Sequence, residues 1–275
     1  KWDWTANYPV IRISFAEGVM ESRAALDERI DYLLAHNAQR LGIGELVQGS
    51  VSSRFSTLIE QARLLHGQRV VVLVDEYDKP ILDNLTRPEV ARQMRDGLRD
   101  LYSVIKGQDA HIKFAMLTGV SKFSKVSLFS GLNNLNDITV DPGCSAICGY
   151  TDADVDTVFA AELPGLDRDE IRRWYNGYNW GGDAVYNPFD LLLLFQKRDF
   201  RPYWFETGTP TFLVDLLTER RRFLPDLERL QATEALLSAF EVGDIGIEAL
   251  LFQAGYLTIA SKEKLAGTTY YTLGY

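Results

Sequence analysis

VVVLVDEYDKP, residues 70–80, joins five consecutive aliphatic residues to a cluster of four charged ones. The run Val70–Val74 is mostly β-branched and has no polar interruption, which predicts a strand that is buried on both faces. Strands of this kind are typical of parallel sheets that helices cover on both sides. The acids follow at the carboxyl end of the strand, where parallel α/β sheets hold their ligands.

Two further strands and three helices are predicted around this stretch. Pro9–Phe15 and Ile112–Leu117 are apolar and partly β-branched. Apolar residues recur at three- and four-residue steps over about 21–36, 50–67 and 88–106, which predicts helices in the intervals between the strands. This alternation predicts an α/β domain with a mainly parallel sheet over residues 1–150.

The pattern changes after about Gly149. Thr151 and Asp154 form a capping-box signature, and short helical segments follow, separated by Gly-Gly and Asn-Pro turns. We therefore expect a second, mainly helical domain over residues 151–275, in the position of a lid or regulatory domain. The last residues, YYTLGY, have the character of a strand.

Composition narrows the classes of function. The chain has 275 residues and a formal net charge of −9, which disfavours a surface for non-specific nucleic-acid binding. No apolar run approaches the roughly 20 residues that cross a bilayer. The two cysteines, Cys144 and Cys148, are too few for a disulfide framework, so we expect reduced thiols in a cytoplasmic protein.

The acidic residues after the strand have the Walker B pattern of nucleotide hydrolases. Asp75 at the strand end is a candidate ligand for Mg²⁺, and Glu76 is a candidate base for the attacking water. A solvated strand end has the same pattern. A third interpretation is a metal-dependent nuclease that uses Asp75, Glu76 and Asp78, although such a site needs a lysine on a strand, and Lys79 precedes Pro80 in a predicted turn.

Polar residues also follow the next strand. Thr118 is placed where a side chain could contact a γ-phosphate or its water, and the same residue is common at strand ends for structural reasons. Lys122 and Lys125 lie in the loop-like stretch that comes next, where they could contact phosphate or could simply be solvated.

Together these segments resemble the AAA-ATPase-like family of predicted bacterial ATPases. The resemblance rests on VVVLVDEYDKPILDN (70–84), FAMLTGVSKFSKVSLFSGLNNLNDIT (114–139), CGYT (148–151), WYNGYNWGGDAVYNPF (174–189) and YWFETGTPTFL (203–213). It implies a P-loop NTPase-like fold that uses ATP and Mg²⁺, and often a PD-(D/E)XK nuclease-like domain at the C-terminus, through which nucleic acid would be an indirect partner. It also implies that Asp75 and Glu76 are the Walker B pair, that Thr118 is the sensor-like residue, and that Lys122 and Lys125 belong to a lysine-bearing motif of the family.

One family feature is missing. No Gly-x-x-x-x-Gly-Lys-Ser/Thr loop occurs in residues 1–275, so we expect an N-terminally truncated fragment that binds ATP poorly by itself. In the intact protein we expect an ATPase whose Mg-ATP cycle drives a conformational switch. The alternative is a degenerate scaffold that does not hydrolyse ATP and binds a protein partner through its helical domain.

Overall fold

The computed structural model describes residues 2–121, 128–129, 134–204, 214, 218, 230–233 and 246–274. The chain divides into two compact units. The first takes in residues 1–135, and the second is drawn from residues 136–238 and 246–275. Within the described part of the chain, no helix is long and apolar enough to cross a membrane.

The first unit contains a parallel sheet of three strands. These are β1 (Val10–Ser14), β2 (Val70–Asp75) and β3 (Ile112–Leu117), in the order β1-β2-β3. Ser14 is in register with Asp75, and Val74 is in register with Leu117. The carboxyl ends of all three strands therefore reach the same edge of the sheet, as the sequence predicts for a parallel α/β domain.

The helices of this unit are α1 (Arg23–Arg40), α2 (Val51–His66), α3 (Lys79–Leu82) and α4 (Pro88–Gly107). Ser22 and Ser50 cap the first two helices, each accepting a backbone N–H in the first turn, and α2 ends at Gly67 with φ of 65°. Helices α1, α2 and α4 pack against one another, and α1 and α2 also contact the sheet. Their apolar faces bury Leu26, Ile30, Phe55, Leu58 and Leu98.

The two faces of the sheet are covered to different extents. Ile11, Ile13, Val72 and Val74 share one face and are fully or almost fully buried. On the opposite face Leu73 and Met116 are only partly buried, and Phe114 is 45% exposed. The sequence predicts a sheet covered on both faces; in the described part of the chain the second face is covered in part, since Val71 on this face is buried and Trp2 packs against Phe114.

The second unit contains helices α5 (Asp152–Thr157), α6 (Arg168–Tyr175), α7 (Pro188–Lys197) and α8 (Ile247–Gln253). Strands β4 (Asn176–Tyr178) and β5 (Val185–Tyr186) pair antiparallel. Strands β6 (Leu230–Thr233), β7 (Thr258–Leu265) and β8 (Thr268–Gly274) form an antiparallel sheet in the order β6-β8-β7. The expected capping box of Thr151 and Asp154 is present at the start of α5.

The described residues of this part of the chain hold both helices and strands, and the prediction of a mainly helical domain over 151–275 stays a prediction. Helices α5, α6 and α7 do pack around a core that includes Val155, Ile171, Tyr186 and Leu194. The sheet of β6, β7 and β8 was not expected, apart from the strand character of the last residues, which form β8. The predicted domain boundary near residue 150 stays a prediction.

Candidate functional site

Asp75 and Thr118 meet at the carboxyl edge of the parallel sheet. Asp75 is the last residue of β2, and Thr118 directly follows β3. The Thr118 backbone N–H donates to the Val74 carbonyl at 2.8 Å, which continues the sheet ladder by one residue. The Thr118 hydroxyl donates to Asp75 Oδ1, also at 2.8 Å. Both side chains are exposed, so this pair is open to a ligand.

Glu76 turns the chain sharply after β2. Its φ is 53°, in the left-handed region that residues other than glycine seldom adopt. Such conformations are held by the surrounding structure and are concentrated at functional sites. Partial burial raises the pKa of its carboxyl above the ordinary value, the charge of Asp75 adds to this, and Lys79 opposes it. A raised pKa makes Glu76 a better proton acceptor, provided that it is still ionised.

Asp78 points into the protein. Its side chain is 0% exposed, and the backbone N–H of Val120 donates to Asp78 Oδ1 at 3.2 Å. The backbone N–H and the hydroxyl of Ser121 both donate to Asp78 Oδ2. Burial raises the pKa of Asp78 to about 6, although the hydrogen bonds from Ser121 oppose that shift. A carboxylate enclosed in this way is not available to a metal ion, so the structure does not support the nuclease interpretation that needs it.

Two tyrosines reinforce the turn after β2. The Tyr77 backbone N–H donates to the Thr118 carbonyl at 3.0 Å, and the Tyr77 hydroxyl donates to the Ser121 carbonyl at 2.6 Å. The Tyr102 hydroxyl of α4 donates to the Tyr77 carbonyl at 3.0 Å. Hydrogen bonds therefore connect the acidic turn both to the chain after β3 and to helix α4.

The sequence of this site matches a known family. Residues 1–129 match the sequence model of the AAA-ATPase-like family, described as "Predicted AAA-ATPase". The region matched contains the parallel sheet with Asp75, Glu76 and Thr118 at its carboxyl edge.

A longer relative shares the whole chain. The "Uncharacterized protein in vnfD 5'region" of Azotobacter chroococcum mcd 1 is 69% identical over 275 residues, which are all of this chain and 53% of the relative. The chain therefore spans about half the length of the curated relative that it matches. No solved structure matches this chain.

The lysines of the site divide into two groups. The Lys79 ammonium pairs with Asp83, the residue that follows α3, and donates to the Gly18 carbonyl at 3.3 Å, so it stabilises the turn locally. Lys122 and Lys125 lie outside the described residues. Their contact with phosphate stays a prediction of the family resemblance.

The exposed oxygens of this edge fit Mg²⁺ as part of a site. Mg²⁺ prefers oxygen ligands, keeps several waters and is commonly held by one or two carboxylates together with substrate phosphates. Asp75 supplies an exposed carboxylate, and the Thr118 hydroxyl lies beside it. Among the described residues, no cluster of three or more His, Cys, Asp or Glu side chains could hold a metal alone. Asp75 and Thr118 would therefore supply only part of the coordination of such an ion.

Proposed function

We propose that this chain is the part of an AAA-ATPase-like protein that activates water for ATP hydrolysis, and that hydrolysis drives a conformational switch in the intact protein. The observation that carries the proposal is the contact of Asp75 with Thr118 at the carboxyl edge of a parallel sheet, with Glu76 as the next residue. Three side chains of the types needed for phosphoryl transfer to water thus come from two neighbouring strand ends.

Each of these residues has a separate task in the proposed reaction. Asp75 would hold Mg²⁺, directly or through water, and the Thr118 hydroxyl fixes the orientation of its carboxylate. Glu76 would accept the proton of the attacking water, and its raised pKa favours that transfer. Bound Mg²⁺ would supply neutralisation of the charge that develops on the phosphate oxygens. The Thr118 hydroxyl has a single proton, so it would donate to a γ-phosphate only in place of Asp75.

Most of the phosphate binding has to come from residues other than Asp75, Glu76 and Thr118. A Gly-x-x-x-x-Gly-Lys-Ser/Thr loop does not occur in residues 1–275, and the backbone N–H groups and lysine of such a loop provide most of the phosphate binding in P-loop proteins. In the described part of the chain β3 pairs with β2 alone, so its other edge is open to one more strand. We place the strand that leads into the phosphate loop of the intact protein at this edge.

The test is the substitution Glu76→Gln in the protein produced from its whole gene. It removes the proton acceptor and keeps the size of the side chain, so we expect the rate of ATP hydrolysis to fall by about 10²–10⁴-fold. The affinity for Mg-ATP should stay within about threefold, because Glu76 makes no ground-state contact in this mechanism. Phosphate release and equilibrium titration with a fluorescent ATP analogue measure the two quantities.

Glu89→Gln is the matched control, since Glu89 is an exposed acid in the first turn of α4. It should leave both the rate and the affinity unchanged. Hydrolysis that survives in Glu76→Gln would contradict the role of Glu76.

A second candidate is a scaffold that does not hydrolyse ATP and recognises a protein partner. The absence of the phosphate loop from residues 1–275 is the observation in its favour. A wild-type protein from the whole gene that neither binds nor hydrolyses Mg-ATP would favour this candidate over the ATPase.

A further inference from the structure

We infer that Asp78 is a positioning residue that fastens the chain after β3 to the acidic turn after β2. Through this connection it keeps Thr118 against Asp75 and holds Glu76 in its unusual conformation. The inference deepens the proposed function and rests on it for the effect on hydrolysis, while the connection itself can be measured without ATP.

The contacts of Asp78 span two strand ends. Asp78 follows β2 by three residues, and its three hydrogen-bond donors belong to Val120 and Ser121, which follow β3. Thr118 is only two residues before Val120. Any movement of these donors away from Asp78 therefore moves the Thr118 hydroxyl relative to the carboxylate of Asp75.

Gly119 shows how closely the two segments approach. A Cβ atom at this position would overlap with Asp78 Oδ1 and would lie 2.8 Å from Tyr77 Cδ1. Only glycine leaves room for the carboxylate to reach the backbone N–H groups beyond it. The absence of a side chain at position 119 and the buried acid at position 78 thus serve the same contact.

The charge of Asp78 matters as well as its shape. A carboxylate is an acceptor at both oxygens, whereas an asparagine amide accepts at one oxygen and donates from its nitrogen. In Asp78→Asn, at least one of the donors of Val120 and Ser121 would face an NH₂ group. A buried donor left without an acceptor is costly, so the segment after β3 should open more often.

Asp78 acts through its neighbours and does not touch substrate. Its side chain has no exposed surface, and both oxygens are occupied by protein donors. Weaker positioning should therefore lower kcat, because it disturbs the arrangement that hydrolysis needs. KM should change little, because the phosphate grip lies elsewhere in the proposed site.

The experiment compares Asp78→Asn and Ser121→Ala with wild type, using the protein from its whole gene. Amide hydrogen exchange is followed at Val120 and Ser121, and kcat and KM for ATP are measured on the same samples. We expect exchange at these amides to become at least about tenfold faster in Asp78→Asn, with kcat at least about tenfold lower and KM within about threefold. Ser121→Ala removes one of the three donors, so the same changes should be smaller.

Two control variants separate positioning from general effects. Asp96→Asn makes the same chemical change at a partly exposed acid on α4. Ile59→Val removes a methylene from a buried residue of α2 and lowers stability without touching this turn. Neither should change exchange at Val120 and Ser121 or the kcat.

The possible results distinguish failure of the positioning role of Asp78 from failure of the proposed function. Unchanged exchange in Asp78→Asn would overturn the inference, and so would faster exchange with an unchanged kcat. A kcat loss of equal size in Ile59→Val would also overturn it, since destabilisation alone would then be sufficient. A wild-type protein that does not hydrolyse ATP would overturn the proposed function and with it the effect of Asp78 on hydrolysis, while exchange would still decide whether Asp78 holds the segment.

Discussion

Asp78 and Asp190 are buried carboxylates in different units of the chain, and burial raises the pKa of each to about 6. Asp78 receives three hydrogen bonds. At Asp190 the backbone of Trp204 opposes the rise in the pKa, and its effect is smaller than that of burial. Asp190 lies in the first turn of α7 and is 1% exposed. An ionised carboxylate in this position is a cost to the fold that a neutral side chain would remove.

Asp190→Asn should therefore stabilise the protein in a manner that depends on pH. The folded state holds its proton up to about pH 6 and the unfolded state only to about pH 4, so wild-type stability falls as the pH rises through this interval. We expect the variant to match wild type near pH 4 and to exceed it above pH 6 by about 1–3 kcal/mol. Urea unfolding at several pH values measures the difference.

The exposed turn residue Asp183 provides the control. Asp183→Asn should shift stability by less than about 0.5 kcal/mol at every pH. A loss of stability in Asp190→Asn above pH 6 would mean that the charge of Asp190 is paired, against the argument from burial.

For individual residues, the sequence indicates which ones lie at the edge of the sheet but not where each side chain points. Asp75 and Thr118 could be predicted because each one ends or follows an apolar strand. The inward direction of Asp78 could not, since four charged residues in a row of five look alike before the left-handed turn at Glu76 is known. Gly119 is a signal of close approach, yet it does not identify the partner.

Among the elements, α1 closes one edge of the parallel sheet with its side chains. Asn37 accepts the Arg12 backbone N–H at 2.9 Å and donates to the Arg12 carbonyl at 2.7 Å. Arg40 donates to the Val10 carbonyl, and Arg29 donates to the Ser14 carbonyl at 3.2 Å. The outer edge of β1 is thus occupied, which protects it against pairing with another strand.

Asn37→Ala should weaken this closure. The residue is 2% exposed, and its loss would leave the N–H and carbonyl of Arg12 without their partner. We expect the free energy of unfolding to fall by about 1–3 kcal/mol in urea denaturation. Gln39→Ala, at an exposed position of the same helix, should change it by less than about 0.5 kcal/mol. Equal effects of the two variants would show that the edge contacts add nothing.

Elements were predictable where apolar patterning is strong. The strand predicted at Ile112–Leu117 has the observed bounds, the one at Val70–Val74 is one residue short at its end, and the one at Pro9–Phe15 is one residue too long at each end. The region around Pro80 is a short helix in place of the predicted turn. Strand β7 has mostly exposed residues and so lacks an apolar pattern, and its hairpin turn uses Ala266 and Gly267, both with positive φ.

At the level of the whole molecule, one edge and one face of the parallel sheet in the first unit are not fully covered. The outer edge of β3 has no strand beside it in the described part of the chain, and Phe114 is 45% exposed on the less covered face of the sheet. The Azotobacter chroococcum relative is about twice as long as this chain. Residues beyond the matched region are thus available in that relative to pair with β3 and to supply a phosphate loop.

The full-length relative should bind Mg-ATP more tightly than residues 1–275 of this chain, by at least about 100-fold. Without the backbone N–H groups and lysine of a phosphate loop, Asp75 and Thr118 offer Mg²⁺ only a partial site, and the β- and γ-phosphates have few partners. Isothermal titration calorimetry on both proteins measures the two dissociation constants. Equal affinities would mean that residues 1–275 hold the phosphates themselves. Absence of binding in both would mean that the fold has lost nucleotide binding. Asp75, Glu76 and Thr118 would then have no phosphate to act on and would serve the fold alone.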